Sequence, residues 1–310
     1  MAQSTEIATW WGRHRIPADR TDLWTLGPLE LMVEHQETIW RIHWRYAQKT
    51  TGAPSSGATR TIGLSSEQIA AFTGSASTRS AISPYFPAKT QSVTIPTNAT
   101  GGTAEDLIFS PVLPEESLIF SLSSAAVLDP GERLTVGFFI PLAIRIDTAS
   151  GQQTPREACE ISLLPMIRTW GGTTPLNGEL VLTPDRPTRV ERWSDAKPRL
   201  DAAGLSVTVV NQGTDSVFID RLLIPCLRLS LFHSPQTGFW CDSLFLYANS
   251  DLGGMNSVVQ TERTFPREAG TTTLVNHARQ LPSESTGLKG LANFRSTIGN
   301  SVENLFKERG

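Results

Sequence analysis

The residues able to do chemistry in this chain are few and scattered. Five histidines, His14, His35, His43, His233 and His277, show none of the close spacing that a metal site needs. Three cysteines, Cys159, Cys226 and Cys241, are far apart and odd in number, so neither a disulfide framework nor a zinc site is indicated. They lie in or beside apolar stretches, which predicts buried thiols rather than nucleophiles. Glycoside hydrolysis would need two carboxylates across one cleft. Glu157 with Glu160, and Asp185 with Glu191, qualify only as any acidic pair does. No Gly-x-Ser-x-Gly, His-Glu-x-x-His or phosphate-cradling glycine loop occurs. His43 alternates with Arg41 and Arg45 on a polar strand face opposite Glu30, an exposed cross-strand charge set. Arg13-His14-Arg15 could hold an anion, but a solvated basic turn is the simpler reading. The expectation is a non-enzymatic protein with no catalytic residue, metal or cofactor.

Tryptophan is the most suggestive residue type, with eight in the chain. Exposed rings on a β-sheet could stack on sugars, and Trp10, Trp11 and Trp170 are the candidates for such ligand stacking. Tryptophan also fills sheet cores, and the strand pattern assigns Trp40 and Trp44 there.

These side chains must be held by strands. Thr21 to Gln48 reads as a β-hairpin turning at Gln36-Glu37, with Val33 opposite Trp40, Leu31 opposite Ile42 and Leu29 opposite Trp44. Its other face sets Met32 against Arg41 and Glu30 against His43. Leu134 to Ile146 reads as one strand, with Pro141 forcing an edge or a bulge. Leu205–Val210 and Val217–Ile224 flank a polar loop of hairpin size. Leu227, Leu229 and Leu231 alternate with Arg228, Ser230 and Phe232, and Phe239–Tyr247 reads as a further strand. Lys49 to Glu105 reads as a Ser/Thr/Gly-rich insertion holding a short helix at Leu64–Phe72, where Ser65 and Gln68 have capping-box spacing. The tail from Asn249 is polar and irregular. It ends in an amphipathic helix whose stripe, Leu288, Leu291, Phe294, Ile298, Val302 and Leu305, is the expected partner-binding surface. That helix could bind a protein, self-associate or fold back on its own domain.

At 310 residues the chain is long enough for about two domains. We expect an N-terminal β domain over 1–150 with the insertion at 49–105, a C-terminal β domain over 151–248, and a linker with helix over 249–310. The fold class is all-β, antiparallel sandwiches, two packed β domains with a C-terminal amphipathic helix. A formal charge of -3 gives no electrostatic reason for a nucleic-acid partner. The opening residues lack an apolar signal core. The most apolar run, Val136 to Ile144, is too short to span a bilayer, so a soluble cytoplasmic protein is expected.

Several stretches carry a resemblance. They are Trp24 to Val33 with Gly27-Pro28-Leu29, Ile39-Trp40-Arg41-Ile42, Ser110 to Glu115, and Pro130 to Leu142. Arg168-Thr169-Trp170-Gly171-Gly172 followed by Asn177 to Leu180, and Arg221 to Phe232, continue the series. In this order, over most of 20–248, they resemble the uncharacterised prokaryotic family catalogued as domain of unknown function 432. The resemblance implies a β-rich soluble protein. It brings no activity, and implies an accessory role beside mechanosensitive channels of small conductance. The functional expectation is therefore a cytosolic accessory or regulatory β-sandwich protein acting through protein contacts. The alternative is a carbohydrate- or small-ligand-binding module.

Overall fold

The computed structural model describes residues 4–7, 10–36, 38–47, 58–74, 90–97, 105–150, 155–174, 177–184, 188–190, 193, 199–248 and 258–279. The chain is all-β, mostly antiparallel, and divides into two compact units that interleave along the sequence. Unit 1 takes Met1–Pro114, Pro141–Ile167 and Arg199–Ala202. Unit 2 takes Glu115–Ile140, Arg168–Pro198 and Ala203–Gly310. The chain thus changes unit several times, where a single change near residue 150 was expected.

Unit 1 holds a six-stranded antiparallel sheet in the order β1 (Ser4–Ile7), β6 (Ala58–Ile62), β3 (Arg20–Leu26), β4 (Leu29–Gln36), β5 (Ile39–Tyr46) and β7 (Gln91–Pro96). A second sheet runs β12 (Arg156–Ser162), β11 (Ala143–Ser150), β8 (Glu105–Val112) and β2 (Gly12–His14). Trp24, Leu31, Val33, Trp40 and Ile42 from the first sheet are buried, as are Leu107, Phe109, Ile144 and Ile146 from the second. The rings of Trp24 and Phe109 meet edge to face at 5.5 Å, the favoured aromatic geometry.

In unit 2 an eight-stranded sheet runs β15 (Thr188–Val190), β10 (Arg133–Pro141), β16 (Ala202–Asn211), β19 (Gly238–Cys241), β18 (Leu231–Ser234) and β22 (Thr273–Asn276). Further along β16, β20 (Ser243–Ala248) pairs with it and carries β21 (Val258–Glu262). A four-stranded sheet runs β13 (Met166–Thr174), β14 (Asn177–Pro184), β9 (Leu118–Leu128) and β17 (Val217–Ile224). Phe120 of β9 packs on Phe138 of β10 at 4.8 Å, so the two sheets share a core.

The β4–β5 hairpin forms, but two residues out of the expected register. Leu31 faces Trp44, Val33 faces Ile42, His35 faces Trp40 and Gln36 faces Ile39. A shift of two leaves every side chain on its face, so alternation cannot distinguish the two registers. The charges can. The observed register sets Glu30 against Arg45 and Glu34 against Arg41, and Arg45 Nε donates to Glu30 Oε2 at 2.6 Å. The expected register would have placed Glu30 against His43 and Met32 against Arg41. Trp40 is buried, whereas Trp44 is half-buried.

Other expectations change in similar ways. The stretch 134–146 is two strands, β10 and β11, in different sheets, parting at Leu142 after the proline. Likewise β16 and β17 lie in different sheets of unit 2, so the loop between them is not a hairpin turn. Asn211, buried at the start of that loop, donates to the Leu128 and Asp215 carbonyls at 2.9 and 2.8 Å and accepts from Gly213 N–H. Residues Cys226–Arg228 are a 3-10 turn rather than strand. Phe239–Tyr247 is divided at Asp242 into β19 and β20, both parallel to β16. The 49–105 region is no mere insertion, because β6 and β7 belong to the six-stranded sheet. Its helix, α1 (Ser66–Gly74), carries the reciprocal capping box: Gln68 N–H donates to Ser65 Oγ, and Ser65 N–H to Gln68 Oε1. The tail from 249 supplies β21 and β22. The helix stripe from Leu288 to Leu305 lies outside the described residues.

Candidate interaction surface

Strand β3 places Asp22, Trp24 and Leu26 on one buried face, and the acid among them organises a closed ion cluster. Arg20 donates to both Asp22 oxygens at 2.9 and 2.7 Å. Arg60 of β6 donates to Oδ2 at 3.2 and 2.6 Å, and Gly63 N–H reaches Oδ1 at 3.1 Å. Arg60 also lies over the Trp24 ring at 4.7 Å. Five donors on one buried carboxylate satisfy it fully, which suits a structural clamp rather than a reactive acid. His14 sits beside this cluster against Trp24 and Phe109, with Nε2–H donating to the Trp10 carbonyl at 3.0 Å. Burial pulls its pKa below the ordinary value. Arg60 acts in the same direction, and the Trp10 carbonyl and Asp22 partly oppose it. Residues 12–14 are strand rather than turn, although the Arg13 and Arg15 side chains stay exposed. His14 is buried, and Arg15 and Arg13 pair with Asp106 at 2.9 and 3.7 Å. The sequence signal for the cluster was a charged residue in phase with Trp24 and Leu26.

On β11 and β12, Asp147 faces Glu157 and Arg145 faces Glu160 beside a bulge. Burial raises the Asp147 carboxyl, Arg145 at 3.4 Å opposes this, and Glu157 adds to it. Cys159 and Cys226 are pushed up to about 12 chiefly by burial, and Cys241 is raised as well. Thiols held protonated in this way are poor nucleophiles. No group of three histidine, cysteine or acidic side chains among the described residues converges on a metal position. Asp185 and Glu191 lie outside the described residues. Burial lowers the His43 pKa, with Glu34 at 3.6 Å opposing it and Arg41 adding to it. The cross-strand charge set is present, but half-buried His43 lies opposite Met32 and approaches Glu34 rather than Glu30.

The tryptophans separate clearly. Trp10 is buried and donates through Nε1 to the Thr25 carbonyl at 3.0 Å, so its faces are covered by protein. Trp11 is half-buried against Trp10 at 6.5 Å. Trp240 lies over Gly204, with Trp193 at 4.8 Å and Phe139 in turn at 5.7 Å from Trp193. That aromatic cluster was not anticipated. Trp170, in contrast, is 48% exposed.

Trp170 is one of three exposed large apolar residues in its sheet. In the β13–β14–β9–β17 sheet, Trp170 of β13, Leu180 of β14 (58%) and Val127 of β9 (60%) all project large apolar side chains into water. Half-buried Phe218 lies directly opposite Val127. The other phase of this strand pair, Leu118, Phe120, Leu222 and Ile224, is buried. Val127 is out of phase with buried Leu128, whereas Leu180 is in phase with Leu182, which lies opposite buried Leu118, so the exposed apolar residues do not share one strand phase. Isolated surface apolar residues are ordinary; three large ones on strands of one sheet are the described residues most open to a contact. Arg168 borders it, its Nε donating to Glu116 Oε2 at 3.2 Å. No described helix is long and apolar enough to cross a membrane.

No curated protein and no solved structure matches the chain. One family model does, over residues 10–294, a wider span than the 20–248 resemblance and one that takes in the 49–105 region. The chain belongs to the family described as Protein of unknown function (DUF432).

Proposed function

We propose that this protein is a non-enzymatic accessory or regulatory β-sandwich protein of the cytosol, acting through protein contacts made by the β13–β14–β9–β17 sheet. The carrying observation is the exposure of Trp170, Leu180 and Val127 together in one sheet. Burying such side chains is worth about 1.5–3 kcal/mol each, enough for a few of them to anchor a partner. The chemistry elsewhere fits this reading: the Asp22 carboxylate is saturated and the thiols are held protonated. A small-conductance mechanosensitive channel is the partner class that the family resemblance brings to the test.

A sugar-binding reading draws on Trp170 alone. Flat sugar platforms use neighbouring exposed rings, and Trp10 and Trp11 do not provide them.

The test is affinity capture from the native cell with the wild-type chain and the V127K/W170K/L180K variant, followed by reconstitution with the purified partner. A partner bound by the wild type and lost by the variant supports the proposal. Equal binding by both chains removes the surface from the reading. A chain truncated before residue 283 tests the Leu288–Leu305 stripe in the same experiment.

A further inference from the structure

We infer that β2 with its flanking residues is a docking strand for an extended acidic segment of a partner protein, and that Arg13 and Arg15 bind its carboxylates. The inference is independent of the exposed apolar residues in the β13–β14–β9–β17 sheet. From Trp10 to Ile16 the chain alternates. Trp10, His14 and Ile16 are buried, while the Arg13 and Arg15 side chains, on the opposite phase, are 50% and 71% exposed. The segment is held rigidly from both ends. His14 Nε2–H donates to the Trp10 carbonyl at 3.0 Å, and His35 Nδ1–H donates to the Ile16 carbonyl at 2.6 Å. The Trp10 indole is tied in turn to the Thr25 carbonyl. β2 is also the last strand of the β12–β11–β8–β2 sheet.

Charge singles this strand out. Among the described ion pairs, two carboxylates, Asp22 and Asp106, each serve two arginines. At Asp22 the arginine side chains are largely buried and the set is closed. At Asp106 the carboxylate is buried and both arginines reach into water. Arg15 grips it through Nε and Nη2 at 2.9 and 3.4 Å, whereas Arg13 comes only to 3.7 Å, beyond hydrogen-bond distance. Two cations thus stand over one acid, and their remaining N–H donors suit a second carboxylate. A paired strand supplies carboxylates at the matching interval. Its alternate side chains share one face, so acids two residues apart lie opposite Arg13 and Arg15. Backbone pairing at a sheet end gives affinity, and the alternate side chains give selectivity. A second β2 would set arginine against arginine, so the charges that admit an acidic strand turn away a copy of this one.

Isothermal titration calorimetry of the full chain tests this with a peptide of roughly eight residues alternating Glu and Thr, against the same peptide with Gln for Glu. The Glu peptide is expected to bind, and the Gln peptide to bind more weakly by about tenfold or more. The R13Q/R15Q variant loses the Glu peptide to the same extent, and added salt weakens the wild-type complex. Arg221→Gln, at an exposed arginine of β17, binds as the wild type does. Circular dichroism melts confirm that each variant is folded. A wild type that does not bind, equal affinity for the two peptides, or an R13Q/R15Q variant that binds like the wild type overturns the inference. Displacement of the peptide by equimolar inorganic phosphate also overturns it, because the two arginines would then serve a free oxyanion and not a strand.

Discussion

Replacing Asp22 with asparagine removes one negative charge from a fully buried side chain while keeping its shape. The carboxylate accepts five hydrogen bonds, four from Arg20 and Arg60 and one from Gly63 N–H. Asparagine keeps one oxygen and turns an NH₂ toward groups that are themselves donors, so both guanidiniums lose the Asp22 charge. Removing one partner of a buried ion pair typically costs about 3–5 kcal/mol. Arg20 is 27% and Arg60 12% exposed at the side chain, so water recovers part of that loss. The low end, about 3 kcal/mol, is the expected destabilisation. For a unit of this size that lowers Tm by about 6–12 °C. Urea unfolding at pH 7 measures it, with Arg60→Met and the double variant completing a mutant cycle. The double variant should lose clearly less than the sum of the singles, because both singles remove the same Arg60–Asp22 contact. A Asp22→Asn loss under about 1 kcal/mol, or additive singles, would refute the clamp.

Two further outcomes follow from the packing. A methyl group at Gly204 would lie 2.7 Å from two Trp240 ring carbons and 3.3 Å from Trp193. Trp240 is pinned by Nε1–H donating to Thr237 Oγ1 at 2.9 Å, so Gly204→Ala should cost about 1–3 kcal/mol in denaturant unfolding; a change under about 0.5 kcal/mol would mean the rings yield freely. His14 has its folded pKa lowered by burial, so below its ordinary value of 6.5 the unfolded chain takes up a proton that the folded chain resists. Stability should therefore fall as pH drops from 6.5 through the lowered value, and His14→Asn should flatten that part of a urea-midpoint profile between pH 5 and 7. Identical profiles for the two chains would contradict the assignment.

The fold class was legible because alternation is a local property. Leu118–Leu122, Leu205–Val210 and both arms of the first hairpin announce strands, and the core side of each follows from which phase is apolar. The helix at 66–74 was legible for the same reason, since Ser65 and Gln68 cap it from three residues apart. The exposed Trp170 was among the stacking candidates, but Leu180 and Val127 were not, because an apolar residue in a strand reads as core by default. Partner choice was beyond the sequence. Alternation fixes a face modulo two, so it could not say that Leu31 faces Trp44 rather than Ile42; the Glu30–Arg45 and Glu34–Arg41 pairs decided that. Nor could it say that the apolar run through Pro141 is shared between two sheets, or that Arg60, in a stretch read as an insertion, would close on Asp22. The sequence by itself determined the all-β class and, for the clearly alternating segments, which side is apolar. The tertiary structure alone decided which strands meet and which charges are sealed inside, because these depend on contacts between residues tens of positions apart.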